Sequence, residues 1–472
     1  MRPHASTLVL RGSWVVLLVI LLSATWSQGQ SQQNPDVQQL KDKLQQLDQE
    51  MQELKAQISA VEQARAPTTV SAAAPSSAAS GAQGTSQKPT QAVREEEHKS
   101  SLDLYGFVML DSGYDFGQID PNWFDVERPT KLPAFTNEFG GNGNVYYGVR
   151  QTRFGVKTST PTGLGDLKTW FEFELFGTGV DAGQTTFRLR QAYGELGQFG
   201  AGQTWSPFMD IDVFPNQLEY WGPNGMVFFR NVQIRWMPIR TDSTRLTFAL
   251  ERPGASADQG IYSDRIELAD IKPRFNLPDF SWSARFLRKW GYIQTAGIFR
   301  KIGWVDTSGG PLNLSGTAFG WGLNATSNVK FGKNSVGKFE VVYGKGIENY
   351  MNDAPVDIGI QNNFTNPVTP IKGVPLPVLG VVSFLDHTWS ERFTSSIGYS
   401  MLNIENSDAQ RPFDFHQGHY ALTNLLFHPI PSVTIGGEFQ FGRRVNFSDG
   451  FNFNDYRAQL SFKYDWKRTF EF

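Results

Sequence analysis

The chain runs to 472 residues with 46 glycines, 14% aromatic and only 19% charged residues, and its formal net charge of -3 gives no support to a nucleic-acid-binding surface. It holds no cysteine, which excludes a disulfide scaffold and thiolate metal sites. The length accommodates either several ordinary domains or one large all-β unit.

At the N-terminus, Arg2 and Arg11 precede the apolar run WVVLLVILL at residues 14–22, and small residues follow near Ser27 and Gly29. A basic start, a short apolar centre and a small-residue end mark residues 1–29 as a secretory signal peptide. The run is shorter than the about 18 to 20 residues of a spanning helix. No later stretch is apolar enough to cross a bilayer as a helix, so any further membrane insertion has to use strands.

Residues 30–64 contain VQQLKDKLQQLDQEMQELKAQISAV, in which Val37, Leu40, Leu44, Leu47, Met51, Leu54, Ile58 and Val61 alternate spacings of three and four. That is a coiled-coil seam with one narrow apolar stripe and little to dock against except copies of itself, so it predicts an oligomerisation stalk. Residues 65–101 are rich in Ala, Ser, Thr, Gly and Pro without apolar period and read as a flexible linker.

From residue 102 to 472 the text changes to about sixteen segments of period-two alternation, separated in turn by short connections and longer polar loops. LKTWFEFELF is typical, with Leu167, Thr169, Phe171, Phe173 and Leu175 on one face and Lys168, Glu172 and Glu174 on the other. The closing stretch YRAQLSFKYDWKRTFEF alternates without a break except at Arg468 and ends on Phe472. Short turns, long loops, an apolar outer face and a polar inner one predict an all-β fold: a 16-stranded antiparallel transmembrane β-barrel with an N-terminal α-helical coiled coil. The closing strand then pairs with the one beginning near Leu102, leaving no free edge in lipid, and Phe472 resembles the terminal aromatic that barrel-assembly machinery reads.

A barrel of this size leaves a water-filled lumen, so function lies in its inward side chains and in any loop folded into it. By parity the lumen receives a basic wall of Arg153, Arg188, Arg190, Arg235, Arg285, Arg300 and Arg457, with Arg245 and several lysines and acids. Guanidinium forks hold carboxylates or phosphates bidentately and stay charged, which favours anions. Interspersed acids leave open the alternative of a weakly selective wall. The loop TWSPFMDIDVFPNQLEYWGPNGM, between the fifth and sixth strands, is too aromatic for open water. Folded inward, it is expected to bury Phe214 and set Asp210, Asp212 and Glu219 facing the arginines across a narrow gap. No P-loop, HExxH or GxSxG motif occurs, so no enzyme activity, cofactor or metal is expected.

The stretches LYGFVMLDSGYDFGQIDPNWFDVERPTKLP, RQTRFGVKTSTPTGLGDLKTWFEFELFG, TTFRLRQAYGELGQFGAGQTWSPFMDIDVFPNQLEYWGPNGMVFFRNVQIRW and DHTWSERFTSSIGYS resemble the DcaP-like porins of Gram-negative outer membranes. The resemblance covers essentially the whole barrel, the heptads and the tether. It implies a homotrimer joined through barrel walls and a periplasmic coiled coil, set among outer-membrane lipids and taking up small anionic solutes such as dicarboxylates. A different class of role, a barrel that mainly anchors an envelope tether, would show as a channel that passes no solute.

Overall fold

The computed structural model describes residues 99–472; the expected signal peptide, coiled coil and most of the linker lie outside the described residues. Among the described residues no helix is long and apolar enough to cross a membrane, and these residues form a closed β-barrel. Its strands are β1 (Ser101–Asp115), β2 (Asn144–Gly148 and Arg153–Thr160), β3 (Leu167–Phe176), β4 (Thr185–Leu196), β5 (Phe199–Trp205), β6 (Arg230–Arg240), β7 (Thr244–Glu251) and β8 (Ile271–Pro273 and Asp279–Arg288). They continue with β9 (Gly291–Asp306), β10 (Gly316–Phe331), β11 (Ser335–Lys345), β12 (Pro377–Ser390), β13 (Phe393–Ile404), β14 (Phe415–Ile430), β15 (Val433–Asn446) and β16 (Asn452–Glu471).

Two of the sixteen are interrupted: both pieces of β2 pair with β1, and both pieces of β8 pair with β9. β1 closes on β16 in continuous antiparallel register from Ser101 opposite Glu471 to Asp115 opposite Arg457. That seam leaves no open edge between the first and last strands in lipid, where each orphaned amide costs several kcal/mol. Parity is kept along β16: Asp455, Arg457, Gln459 and Ser461 are buried inside, whereas Tyr456, Leu460, Tyr464 and Trp466 are exposed outside.

One rim carries both described ends and short connections such as Gly197 with Gln198 and Pro431 with Ser432. The other rim carries the long loops, including residues 116–143, 206–229 and 346–376; the last contains a small hairpin, Ile358–Asn362 with Ile371–Pro375. The loop at 206–229 does enter the barrel. Phe208, Met209 and Val227 pack with Ile347, Tyr350 and Met351 of the 346–376 loop against the inward faces of β9, β11, β12 and β13, at Ile298, Val342, Val378 and Leu402. The uniformly polar lumen expected from alternation is therefore only half present. Where two apolar loops fold in, the wall opposite them is apolar too, because burying that surface stabilises the loops at about 25 cal/mol per Å2. The open parts of the lumen lie against β2, β4, β5 and β6 and, toward the short-turn rim, against β6 to β9.

Candidate functional site: an arginine wall opposite an inserted loop

Alternation along β3 turns Glu172 and Glu174 inward, and β4 brings Arg188 and Arg190 beside them. Glu172 pairs with Gln191 and Phe173 with Leu189, so Arg190 is the extra residue of a β-bulge. A bulge re-aims its side chain, here onto both acids. Arg190 donates through Nε to Glu172 at 2.7 Å and through Nη1 to Glu174 at 2.5 Å. Glu174 also has Arg153 at 3.4 Å, Arg188 at 3.6 Å and Arg230 at 3.7 Å. Four guanidiniums thus share two carboxylates, a surplus of two positive charges on one wall. Nε of Arg153 and Nη1 of Arg230 are buried with no hydrogen-bond partner.

The inserted loop forms the facing surface. Tyr220 stacks on Phe176 at 3.9 Å and donates its hydroxyl to Glu174. Trp221 and, from the first long loop, Trp123 meet edge to face and carry the guanidinium of Arg128 at 3.9 and 4.1 Å from their ring centres, and Arg128 is paired with Asp353 at 2.9 Å. These elements enclose a chamber of about 500 Å3 lined by Arg128, Arg153, Arg188, Arg190 and Arg230 on the basic side and by Ile211, Phe214, Tyr220, Trp221 and Asn352 on the other. A second chamber of about 510 Å3, toward the short-turn rim, is lined by Arg235, Arg240, Arg245 and Arg285. Ile211 borders both, so the inserted loop is the partition. A third, largely apolar cavity of about 300 Å3 lies apart among the outer loops.

The expected site residues therefore separate into groups. Arg153, Arg188 and Arg190 meet on one wall, and Arg235 lies in the second chamber, where it donates to Gln233 at 3.1 Å and to the Trp205 carbonyl. Arg285 binds Asp210 and Asp212 directly, with no gap between them; Asp210 is buried and also accepts from Tyr292 at 2.8 Å and Thr326 at 2.6 Å. The two aspartates tether the loop to the barrel. Phe214 packs with Phe228 near Val213 and Met226 and borders the chamber.

Arg300, Arg457 and Glu219 depart from expectation. Arg300 is fully buried between Asp279 at 3.0 Å and Asp357 at 2.7 Å, and Arg457 is buried against Asp115 at 3.0 Å. Both face inward by parity, but loops cover them, so their charges hold loops to the wall. Glu219 borders the chamber with the arginines but pairs with none of them: its carboxyl is buried and accepts the backbone amides of Trp221 at 2.9 Å, of Glu127 at 3.2 Å and of Gly222. Burial pushes its carboxyl up to about 7.

Two members of the constellation escape strand parity. Arg230 shares the outward parity of Val232 and Ile234, yet at the first position of β6 the chain turns in from the inserted loop and carries the side chain to Glu174. Arg128 sits on a long loop with no periodic pattern. Its only sequence signal is the neighbouring WFDVER, an aromatic and charged cluster unsuited to a solvent loop.

A model of the DcaP outer membrane protein family matches residues 23–355. Among solved structures, the chain is similar to the outer membrane channel DcaP of Acinetobacter baumannii, with TM-score 0.63 and 18% identity, covering 78% of this chain and 98% of that one. It is also similar to an anion-selective porin from Comamonas acidovorans, with TM-score 0.50 and 10% identity over 78% of this chain and 100% of that one. A search of curated proteins finds no match.

Proposed function

This chain belongs to the DcaP outer membrane protein family, and on that premise we propose that it forms a passive, water-filled channel in the outer membrane that favours small anionic solutes such as dicarboxylates. The observation that carries this reading is the surplus of guanidinium charge around Glu174 on the wall of a chamber of about 500 Å3, with Arg188 still 29% exposed there. A solute carboxylate entering there is drawn to the exposed Arg188 guanidinium and neutralises part of the excess charge. The low-dielectric walls of a narrow lumen strengthen that attraction and raise the local anion concentration. Two chambers on either side of Ile211, each with several arginines, give an anion successive sites of moderate strength, which conduction needs more than one tight site. The resemblance to a porin described as anion-selective agrees with this reading.

The assembly that goes with it is a homotrimer, joined through barrel walls and the coiled coil of residues 30–64 in the periplasm, with Phe472 recognised by the barrel-assembly machinery. In the structure Phe472 exchanges two backbone hydrogen bonds with Ser100, at 3.0 and 3.1 Å, and its side chain is exposed at the rim.

The test is reversal potential across a planar bilayer in a salt gradient. An anion-favouring potential that falls when Arg188 and Arg153 are both replaced by glutamine supports the reading. A cation-favouring potential, or one untouched by that double substitution, overturns it. Liposomes that fail to swell in any small solute would instead support a barrel that serves as an anchor.

A further inference from the structure

The outward face of the barrel carries a feature that conduction does not use. Five aromatic rings run as a ladder across neighbouring strands: Trp236 to Phe248 at 5.7 Å, Phe248 to Phe280 at 6.3 Å, Phe280 to Phe299 at 6.5 Å and Phe299 to Phe319 at 6.1 Å. The ladder climbs toward the long-loop rim, which in outer-membrane barrels is the extracellular one, and rings of this kind mark the boundary between hydrocarbon and headgroups.

Immediately beyond it, on the same outward parity, stand three cations. Arg252 follows Leu250, which pairs with Phe280. Lys301 follows Phe299 by two residues and pairs with Phe319. The Arg274 amide donates to the carbonyl of Gly303, one outward step above Lys301, and Arg274 is exposed while its neighbours Pro273 and Phe275 line the cavity among the outer loops, which turns Arg274 to the outside. Strand spacing of about 4.8 Å and a two-residue rise of about 6.8 Å put the three cations on the order of 10 Å apart.

Among the described residues none of the three makes an ion pair, unlike Arg285 and Arg300 one face away. The acids next to them in the register, Glu251 and Asp279, point inward and are buried. Three unpaired cations above an aromatic ledge, at headgroup height, call for an anionic partner that arrives with acyl chains below it.

We propose that Arg252, Arg274 and Lys301 form a binding surface for the phosphate groups of outer-leaflet glycolipid, with the ladder from Phe248 to Phe319 receiving its acyl chains. The phosphates bridge the strands β7, β8 and β9, and so brace β8 at its break between Pro273 and Asp279.

The experiment uses full-length protein extracted in mild detergent, exchanged with bisphosphorylated lipid A and examined by native mass spectrometry. Each surface cation contributes about fivefold to binding an anionic membrane surface, so the triple variant Arg252→Ser, Arg274→Ser, Lys301→Ser is expected to lose bound lipid A by well over tenfold. Its single-channel conductance should equal wild type, since none of the three faces the lumen, and that equality shows the barrel is folded. Arg288→Ser, an outward cation at the opposite rim, should retain lipid A fully. Equal retention by the triple variant overturns the proposal, as does equal retention of dephosphorylated lipid A by the wild type.

Discussion

Arg190 donates through Nε to Oε1 of Glu172 at 2.7 Å, and both side chains are only 5% exposed. Its neighbour Arg188 reaches Glu174 at 3.6 Å and remains 29% exposed. The two arginines stand one pleat apart and do different work. Arg190→Gln removes the two short charge-assisted bonds to Glu172 and Glu174, worth about 1.5 to 3 kcal/mol each, a loss read as a fall in melting temperature of the detergent-solubilised barrel. Arg188→Gln should cost under about 1 kcal/mol yet shift the reversal potential toward zero. Equal melting losses in the two variants would contradict this division.

Tethering of the inserted loop depends on Arg285. Asp210 and Asp212 both bind that guanidinium, and Asp210 also gathers Tyr292 and Thr326. Replacing both aspartates by asparagine weakens charge-assisted bonds worth about 1.5 to 3 kcal/mol each. The partition between the two chambers should loosen, and single-channel conductance and current noise should both rise. Unchanged conductance would mean that the apolar contacts of Phe208 and Met209 suffice to hold the loop.

Close packing at the far end of the same loop makes a steric prediction. A Cβ on Gly225 would lie 2.1 Å from the backbone oxygen of Met401 and 2.9 Å from the amide nitrogen of Val381, so the loop backbone rests directly on β12 and β13. Gly225→Ala should destabilise by about 1 to 3 kcal/mol and increase conductance. Gly437→Ala, at an exposed position where a Cβ meets nothing within 4 Å, should do neither.

Docking of the loop should also depend on pH through Glu219. Burial raises its carboxyl to about 7 even though the amides of Trp221 and Gly222 pull the other way, whereas a solvated glutamate titrates near about 4.3. Between those two values the docked loop keeps a proton that a released loop has lost, so docking weakens as pH rises from about 4.3 to about 7 and levels off above. Hydrogen exchange of the Trp221 and Gly222 amides, corrected for the intrinsic rate, should show protection falling across that window. Glu219→Gln should flatten the slope; protection that grows with pH would reverse the sign argued here.

The sequence by itself determined the barrel. Period-two alternation with one apolar face, carried through to Phe472, is satisfied in lipid only by a closed sheet, and the closure of β1 on β16 over fifteen paired positions is what that pattern demands. The aromatic content of residues 206–226 likewise required that this loop leave water. Parity placed Arg153, Arg188 and Arg190 on the inner face because a strand offers only two faces.

What only the tertiary structure decided is which inward charges stay available. Arg300 and Arg188 have the same parity and the same chemistry, but Arg300 is closed off by Asp357 from a loop 57 residues away, and Arg457 by Asp115 on the adjacent strand β1, 342 residues away along the chain. Arg230 and Arg128 join the wall because loops carry them there, against or outside any periodic pattern. Alternation is a local property of the backbone and fixes direction. Neutralisation depends on carboxylates brought in by chain closure, and that pairing leaves no trace in the order of residues along one strand.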